Sequence, residues 1–250
     1  VFGGDPYWVS QFGTAFMDGL RRGSGDKVAI IARNFPGLGA SDRNASEEIP
    51  TVQKSLEQLR QSELLPFFAI TQRPLISDTV IDGLQVAHIR YRGFQGNIRS
   101  STRPVSLDPQ AYQALLSQPE FATWRQNGGV TFSESLGARS VRRFYDANET
   151  TFNSKRIAQE AFVAGNDVLV LGSFGLGGTN DEQIAAIKEV AGFFAAKYVD
   201  DPNFAARVDE SVRRILALKL RLYGGRFNLA RVLVHPAQSN LVPPDEASKT

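Results

Sequence analysis

Hydrophobic residues along this chain alternate between short β-branched runs and longer stretches with helical spacing. Four short apolar runs have the length and composition of buried strands, at 28–32, 84–89, 128–132 and 167–171. Between them, apolar residues recur every three or four positions, which is the spacing of an amphipathic helix. Buried strands that alternate with amphipathic helices predict an α/β protein with a parallel sheet.

Capping residues and apolar spacing predict the helices. Asp5 is expected to cap the first helix, with Pro6 at its first helical position. One face of that helix carries four apolar residues, Val9, Phe12, Phe16 and Leu20. A second helix is expected from Thr51 to about Ile70. Further helices are expected at 108–116, around 157–165, at 181–199 and at 206–223.

Polar side chains stand where the predicted strands end. Arg33 and Asn34 follow the first strand, and His88 lies at the end of the second. Glu134 follows the third strand and Ser173 the fourth. In parallel α/β proteins, ligands bind at the carboxyl ends of the strands. These side chains are therefore predicted to share one face and to form a site for a polar ligand.

Composition and charge narrow the classes of function. The 250 residues carry a net charge of +2 without a dense basic cluster, which argues against nucleic acid as the main partner. The absence of cysteine excludes disulfides, thiolate metal sites and thiol nucleophiles. With only two histidines, a histidine-rich zinc site is not expected. No run of about 20 apolar residues is present, so no membrane span is predicted. No signal identifies a compartment, and cytoplasmic and secreted locations both stay open.

Five motifs occur in a fixed order: FGGDP at 2–6, RNFPGLG at 33–39, VAHI at 86–89, SESLG at 133–137 and VDESVRRIL at 208–216. Together they resemble family 3 glycoside hydrolases, specifically the β-N-acetylhexosaminidase-like branch. The resemblance covers about residues 1–225 and leaves 226–250 as an expected loose tail or linker. It implies a (β/α)8 barrel of the TIM type, of which this chain aligns with the C-terminal half, with four parallel strands.

Four strands do not close a barrel of about eight. A half barrel leaves two sheet edges and part of the barrel core uncovered, which is unfavourable for an isolated chain. We therefore expect this chain to be a fragment of a longer protein that requires the missing N-terminal half of the barrel, or a half that must pair with something else.

The resemblance implies roles for the strand-end residues. Glu134 stands at the family's nucleophile position, where the family has aspartate, and the longer side chain moves the carboxylate by about a bond length. It is predicted either to be the nucleophile or to be a strand-end carboxylate that binds sugar hydroxyls or has no role. Arg33 and Asn34 stand in place of a Lys-His pair that contacts the bound sugar, and are predicted to contact it here. Alternatively, Arg33 pairs with a strand-end carboxylate. His88 matches the family's strand-end histidine, and is predicted either to bind substrate or to be a hydrogen-bonded structural residue.

The loop after the Pro-Gly turn is altered. The family's acid/base pair, Asp-Ser/Thr-His, corresponds to Asn44-Ala45-Ser46, and an amide and an unactivated hydroxyl do not titrate near neutral pH. The loop's other carboxylates are the candidate substitute donors, Asp42, Glu47 and Glu48. Alternatively, these carboxylates are solvated surface groups.

The working hypothesis is a retaining glycoside hydrolase that acts on β-linked sugars, β-N-acetylglucosaminidase- or β-glucosidase-like, with a non-standard acid/base. Its partner is a carbohydrate substrate, and no metal or organic cofactor is expected. The alternatives are a pseudo-enzyme that binds carbohydrate without turnover and a purely structural domain on the same scaffold. Nucleotide binding by the glycine-rich loop at 172–178 is disfavoured because its spacing departs from G-x-G-x-x-G.

Overall fold

The computed structural model describes residues 2–41, 43–72 and 80–228. Its main sheet has three parallel strands in the order β1 (Ile31–Phe35), β3 (Gly83–Val86) and β5 (Val130–Ser133). Two short strands, β2 (Thr51–Val52) and β4 (Arg90–Tyr91), form a separate parallel pair. The predicted α/β class with parallel strands is confirmed, and the strands of the described residues do not close a barrel.

The predicted fourth strand is present only as a bridge. Val168 pairs in parallel with Phe132 of β5, and residues 167–171 do not extend this pairing into a strand. Four backbone hydrogen bonds nevertheless hold the segment beside β5. The N–H groups of Asp167 and Val168 donate to the Thr131 carbonyl, Ser133 N–H donates to the Val168 carbonyl, and Leu136 N–H donates to the Val170 carbonyl. The segment therefore borders the sheet as the sequence predicts, without regular pairing.

Helices follow or separate the strands. In chain order they are α1 (Pro6–Ser24), α2 (Leu56–Arg60), α3 (Leu65–Thr71), α4 (Arg92–Gln95), α5 (Pro109–Leu116), α6 (Pro119–Gln126), α7 (Arg139–Tyr145), α8 (Ser154–Ala164), α9 (Asn180–Asp200) and α10 (Pro202–Leu222). The cap predicted for α1 is confirmed, because the Asp5 carboxylate accepts the N–H groups of Tyr7 and Trp8. None of the described helices is long and apolar enough to cross a bilayer.

Two element predictions are wrong. The single helix expected over residues 51–70 is instead β2, α2 and α3, because Thr51 and Val52 pair with β4 and the Ser55 capping box starts a new helix. The first strand begins at Ile31 rather than Val28, which is 50% exposed. Arg33 and Asn34 consequently lie within the end of β1, not in the loop after it.

The buried core is formed by β1, β3 and the helices that pack on them. Its largest fully buried side chains include Phe35, Leu84, Phe121 and Tyr91. A second apolar cluster lies under α8 and α9 and includes Ile157, Phe174 and Val190.

Helix α1 exposes its aromatic face. Trp8, Phe12 and Phe16 are 53%, 51% and 57% exposed, whereas the opposite face of the helix buries Thr14 and Met17. Trp8 stacks on Phe12 with ring centroids 5.7 Å apart. An exposed, contiguous aromatic stripe of this kind is typical of a surface that another part of a protein covers.

Candidate active site

The sheet brings the predicted strand-end residues to one edge. The strands β1, β3 and β5 are parallel neighbours, so their carboxyl ends lie together. Arg33 and Asn34 lie at the end of β1, His88 lies two residues after β3, and Glu134 directly follows β5. Hydrogen bonds join His88 to the Glu134 loop, whereas none in the described part of the chain joins Arg33 or Asn34 to it.

Backbone groups of the neighbouring strand hold Glu134 in place. Its N–H donates to the Val86 carbonyl at 3.1 Å, and its Oε2 accepts the His88 N–H at 2.9 Å. Oε1 has no hydrogen-bond partner among the described residues, and the side chain is partly exposed. One carboxylate oxygen is thus fixed by the sheet while the other is available to a ligand, an arrangement that a carboxylate nucleophile can use.

Close backbone packing determines the shape of the turn after Glu134. A Cβ at Gly137 would lie 2.1 Å from the Ser173 carbonyl oxygen, so only glycine fits there. The Ser135 hydroxyl donates to the Gly172 carbonyl at 2.8 Å. The SESLG sequence therefore folds against the 172–173 backbone, which explains why the turn needs a small residue at its end.

The His88 ring is fully buried beneath this turn. Its Nε2 lies 3.1 Å from the Ser135 carbonyl oxygen and its Nδ1 lies 2.7 Å from the Ser106 Oγ. Because a carbonyl can only accept, we assign the ring proton to Nε2, with Nδ1 accepting from the Ser106 hydroxyl. Burial lowers the pKa of His88, while the Glu134 carboxylate and the Ser135 bond act in the opposite direction. The ring is thus held as a neutral anchor of the turn.

The burial of the His88 ring is relevant to its two predicted roles, substrate binding and structural support. Both ring nitrogens are bonded inside the protein, so direct contact with a sugar would require one of those bonds to break. The arrangement matches the structural alternative, in which His88 positions the Glu134 turn. Sequence reasoning missed Ser106, which lies 18 residues from His88 and carries no pattern that would reveal the contact.

Arg33 is exposed and has no ion pair or hydrogen bond among the described residues. Asn34 adopts a positive φ of 66°, a conformation that asparagine tolerates better than most residues. The Pro-Gly turn that follows is fixed by Tyr91, whose hydroxyl donates to the Gly37 carbonyl at 2.5 Å. A rigid turn beside an unpaired guanidinium is suited to binding sugar hydroxyls.

The altered acid/base loop docks on α7. The N–H of Ser140 donates to the Ser46 carbonyl at 3.1 Å, which places the loop beside the helix that follows the Glu134 turn. The Asn44 side chain is used locally, because its Oδ1 accepts the Ser46 N–H at 3.0 Å. Neither residue therefore presents a titrating group at this position.

Two of the three candidate substitute donors in this loop form ion pairs with arginines, and the third lies outside the described residues. Glu47 pairs with Arg139 at 2.9 Å and Glu48 with Arg43 at 2.5 Å, with about half of each carboxylate side chain exposed. Asp42 lies outside the described residues. No group of three or more His, Asp or Glu side chains in the described part of the chain is arranged to hold a metal ion.

Three comparisons relate this geometry to known proteins. The family model described as "Glycosyl hydrolase family 3 N terminal domain" matches residues 1–218. A "Beta-hexosaminidase" of Idiomarina loihiensis is 28% identical over 169 residues, which is 67% of this chain and 44% of that protein. The chain thus spans less than half the length of this relative.

Solved structures give the same fold. A "glycoside hydrolase family 3 beta-N-acetylglucosaminidase" from a Paenibacillus species superposes with a TM-score of 0.67 at 23% identity, and the match covers 98% of this chain and 40% of that one. A "Beta-N-acetylhexosaminidase" from Beutenbergia cavernae gives a TM-score of 0.63 at 25% identity, with coverage of 86% and 53%. The described residues therefore correspond to part of each larger protein.

Proposed function

The chain belongs to glycosyl hydrolase family 3, and from that premise we propose that it supplies the nucleophile side of a retaining β-glycosidase site. The observation that carries the proposal is the Glu134 carboxylate, with one oxygen held by the His88 N–H and the other unbonded among the described residues. Retaining glycosidases need such a carboxylate to form a covalent ester with the sugar. The relatives' names, a beta-hexosaminidase and a beta-N-acetylglucosaminidase, support an N-acetylhexosaminide as substrate.

Each site residue has a distinct part in this mechanism. Glu134 attacks the anomeric carbon as the glycosidic bond breaks, and the ester that forms is later released to an acceptor. Arg33 and Asn34 hydrogen bond the hydroxyl or amide groups of the sugar. His88 positions Glu134 and the following turn through its backbone N–H and its buried ring.

This mechanism also needs an acid that protonates the leaving group. The aligned loop presents Asn44 and Ser46, and the described carboxylates nearby are paired with arginines. This observation favours a second candidate function, a carbohydrate-binding protein that holds the sugar without turnover. Aryl glycosides separate the two candidates, because an aryl leaving group needs little protonation.

We further propose that the exposed α1 aromatic stripe, Trp8, Phe12 and Phe16, is covered by the remaining half of the barrel. These three aromatic side chains lie four residues apart on one face of the helix, and each is more than 50% exposed, which supports this assignment. The site would then be complete only when both halves are present. The test below therefore uses the protein as its gene encodes it.

The experiment measures release of aryl alcohol from a β-N-acetylglucosaminide and a β-glucoside by the wild type and by Glu134→Gln. Loss of the nucleophile is expected to lower the rate by a factor on the order of 10³ or more. Glu57→Gln, an exposed position on α2, is the matched control and should leave the rate unchanged. Equal rates in all three proteins would contradict the role of Glu134. No release by the wild type, with sugar still raising its melting temperature, would support the binding function.

A further inference from the structure

Asn166 is a fully buried polar residue just after the end of α8, and the proposed mechanism does not use it. Its Nδ2 donates to the Ser106 carbonyl at 2.9 Å and to the Ala161 carbonyl at 2.7 Å. Its Oδ1 accepts the Tyr112 hydroxyl at 3.3 Å. Since carbonyl oxygens can only accept, the two Nδ2 contacts determine which end of the amide carries the nitrogen. The side chain is therefore bonded in a single orientation.

The backbone of Asn166 is also held in place. Its carbonyl accepts from Nη2 of Arg207 on α10 at 3.1 Å. The next residue, Asp167, has a fully buried carboxylate that forms ion pairs with three arginines. Because breaking a buried ion pair is costly, the chain is firmly held at this position. The Asn166 amide thus extends from a fixed point of the backbone.

Asn166 holds the short helical turn Val105–Leu107, which contains Ser106. The Ser106 carbonyl accepts the Asn166 amide, while the Ser106 hydroxyl bonds to Nδ1 of His88 at 2.7 Å. Ser106 is fully buried, and no other group of the described residues bonds to Nδ1. The hydroxyl can reach the His88 ring only while its turn stays in this place.

The same contacts continue from His88 to the nucleophile turn. Nε2 of His88 lies 3.1 Å from the Ser135 carbonyl oxygen, and the His88 N–H donates to Oε2 of Glu134 at 2.9 Å. In a neutral imidazole, the hydrogen bond made by one nitrogen determines which nitrogen carries the proton. With Nδ1 accepting from Ser106, the proton lies on Nε2, where it holds the Ser135 carbonyl. Loss of the Ser106 contact removes this constraint on the ring.

We propose that Asn166 is a positioning residue for the Glu134 carboxylate, and that it acts through Ser106 and the His88 ring. The inference rests on the proposed function for the role of Glu134. No hydrogen bond in the described part of the chain joins Asn166 to Glu134 or Ser135, so its effect must pass through His88. Moving a catalytic group by about 1 Å can lower a rate about a hundredfold, even when no substrate contact is lost.

Asn166→Asp tests the proposal because it keeps the shape of the side chain but presents an oxygen to the Ser106 and Ala161 carbonyls. We expect kcat for aryl glycosides to fall by about tenfold to a hundredfold, with a much smaller change in KM, since the sugar contacts stay in place. Ser106→Ala removes the hydroxyl alone and should also lower kcat. Asn203→Asp makes the same chemical change at an exposed position of α10 and is the matched control, with an unchanged kcat.

Nitrogen NMR of the His88 imidazole separates positioning from a general loss of stability. His88→Gln identifies the signals of this ring by their absence. The Nδ1 signal should move in Asn166→Asp and in Ser106→Ala, because Nδ1 loses its hydrogen-bond donor. Trp124→Phe removes a different buried hydrogen bond, from Nε1 to the Ile81 carbonyl at 2.9 Å. It should lower the melting temperature without changing the Nδ1 signal or kcat.

An Nδ1 signal or a kcat that stays at the wild-type value in Asn166→Asp would overturn the proposal. If Asn166→Asp does not fold, wild-type values in Ser106→Ala would overturn it instead. Equal losses of kcat in Trp124→Phe and Asn166→Asp would also do so, because the effect would then be one of stability alone. If the wild type has no turnover, or turnover that does not depend on Glu134, the proposed function fails, and the Nδ1 signal alone decides whether Asn166 positions the His88 ring.

Discussion

Substituting His88 by glutamine is expected to weaken the fold through lost hydrogen bonds. The imidazole is fully buried and bonds to Ser106 at 2.7 Å and to the Ser135 carbonyl at 3.1 Å. A glutamine amide can replace one of these bonds. Since an unsatisfied buried polar group costs about 1–3 kcal/mol, we expect the free energy of unfolding to fall by about that amount at neutral pH.

The same substitution is expected to change the pH dependence of stability. Burial holds the pKa of His88 in the folded protein below its ordinary value of 6.5. Because the unfolded state then binds this proton more tightly, the stabilisation is fully present above about pH 6.5 and is lost as pH falls toward the folded pKa. One proton gives a slope of at most about 1.4 kcal/mol per pH unit.

Urea unfolding between about pH 7.5 and about pH 5.5 measures this slope, a window in which ordinary carboxylates stay ionised. The wild type should lose stability toward the acid end, and His88→Gln should lose less over the same range. His235→Gln changes the chain's other histidine, which lies outside the described residues, and serves as the matched control. A wild type and His88→Gln with equal slopes would refute the assignment of His88 as a buried neutral anchor.

Three further predictions test other parts of the account. Asp167→Asn should destabilise the protein by about 3–5 kcal/mol in chemical denaturation, because the buried carboxylate pairs with three arginines that would lose their counterion; a loss below 1 kcal/mol, on the order of a surface pair, would contradict this. Tyr91→Phe removes the bond to the Gly37 carbonyl and should cost about 1 kcal/mol and raise KM for aryl glycosides more than it lowers kcat; an unchanged KM would count against the turn as a sugar-binding element. Replacing Phe12 and Phe16 by serine should lower the melting temperature of the protein as its gene encodes it, although both are exposed in the described residues; no change would show that nothing covers this face.

Local signals in the sequence were sufficient for several helices. Asp5 with Pro6, Asp108 with Pro109, and the glycine after α8 at Gly165 mark helix ends through side-chain caps and a positive φ, so their elements were predicted closely. Such signals depend only on neighbours along the chain. The corresponding elements therefore need no knowledge of the tertiary structure.

Elements that depend on distant partners were less predictable. The sequence pattern predicts a helix at Thr51 and Val52. Their pairing partner, β4, lies almost forty residues away, so no local signal indicates the strand. The helical spacing of α1 does not reveal that its aromatic face is exposed, since the same pattern usually marks a core face.

In the candidate site, too, local features could be predicted from the sequence and features that depend on distant residues could not. Glu134 could be found from its motif, whereas its anchoring by the His88 N–H and the burial of the His88 ring depend on the neighbouring strand. Nε of Arg90 and the hydroxyl of Ser140 are buried without a hydrogen-bond partner among the described residues, and spacing in the sequence could not reveal this because it is a property of the packed structure.

The most direct test of the central claim is mass spectrometry after brief reaction of the protein, as its gene encodes it, with an activated fluorosugar. Such a reagent forms a glycosyl ester that is slow to break down. The account predicts the sugar mass on the peptide that carries Glu134, and no label in Glu134→Gln. A label on a different carboxylate, or none while the sugar still binds, would contradict the assignment of Glu134 as the nucleophile.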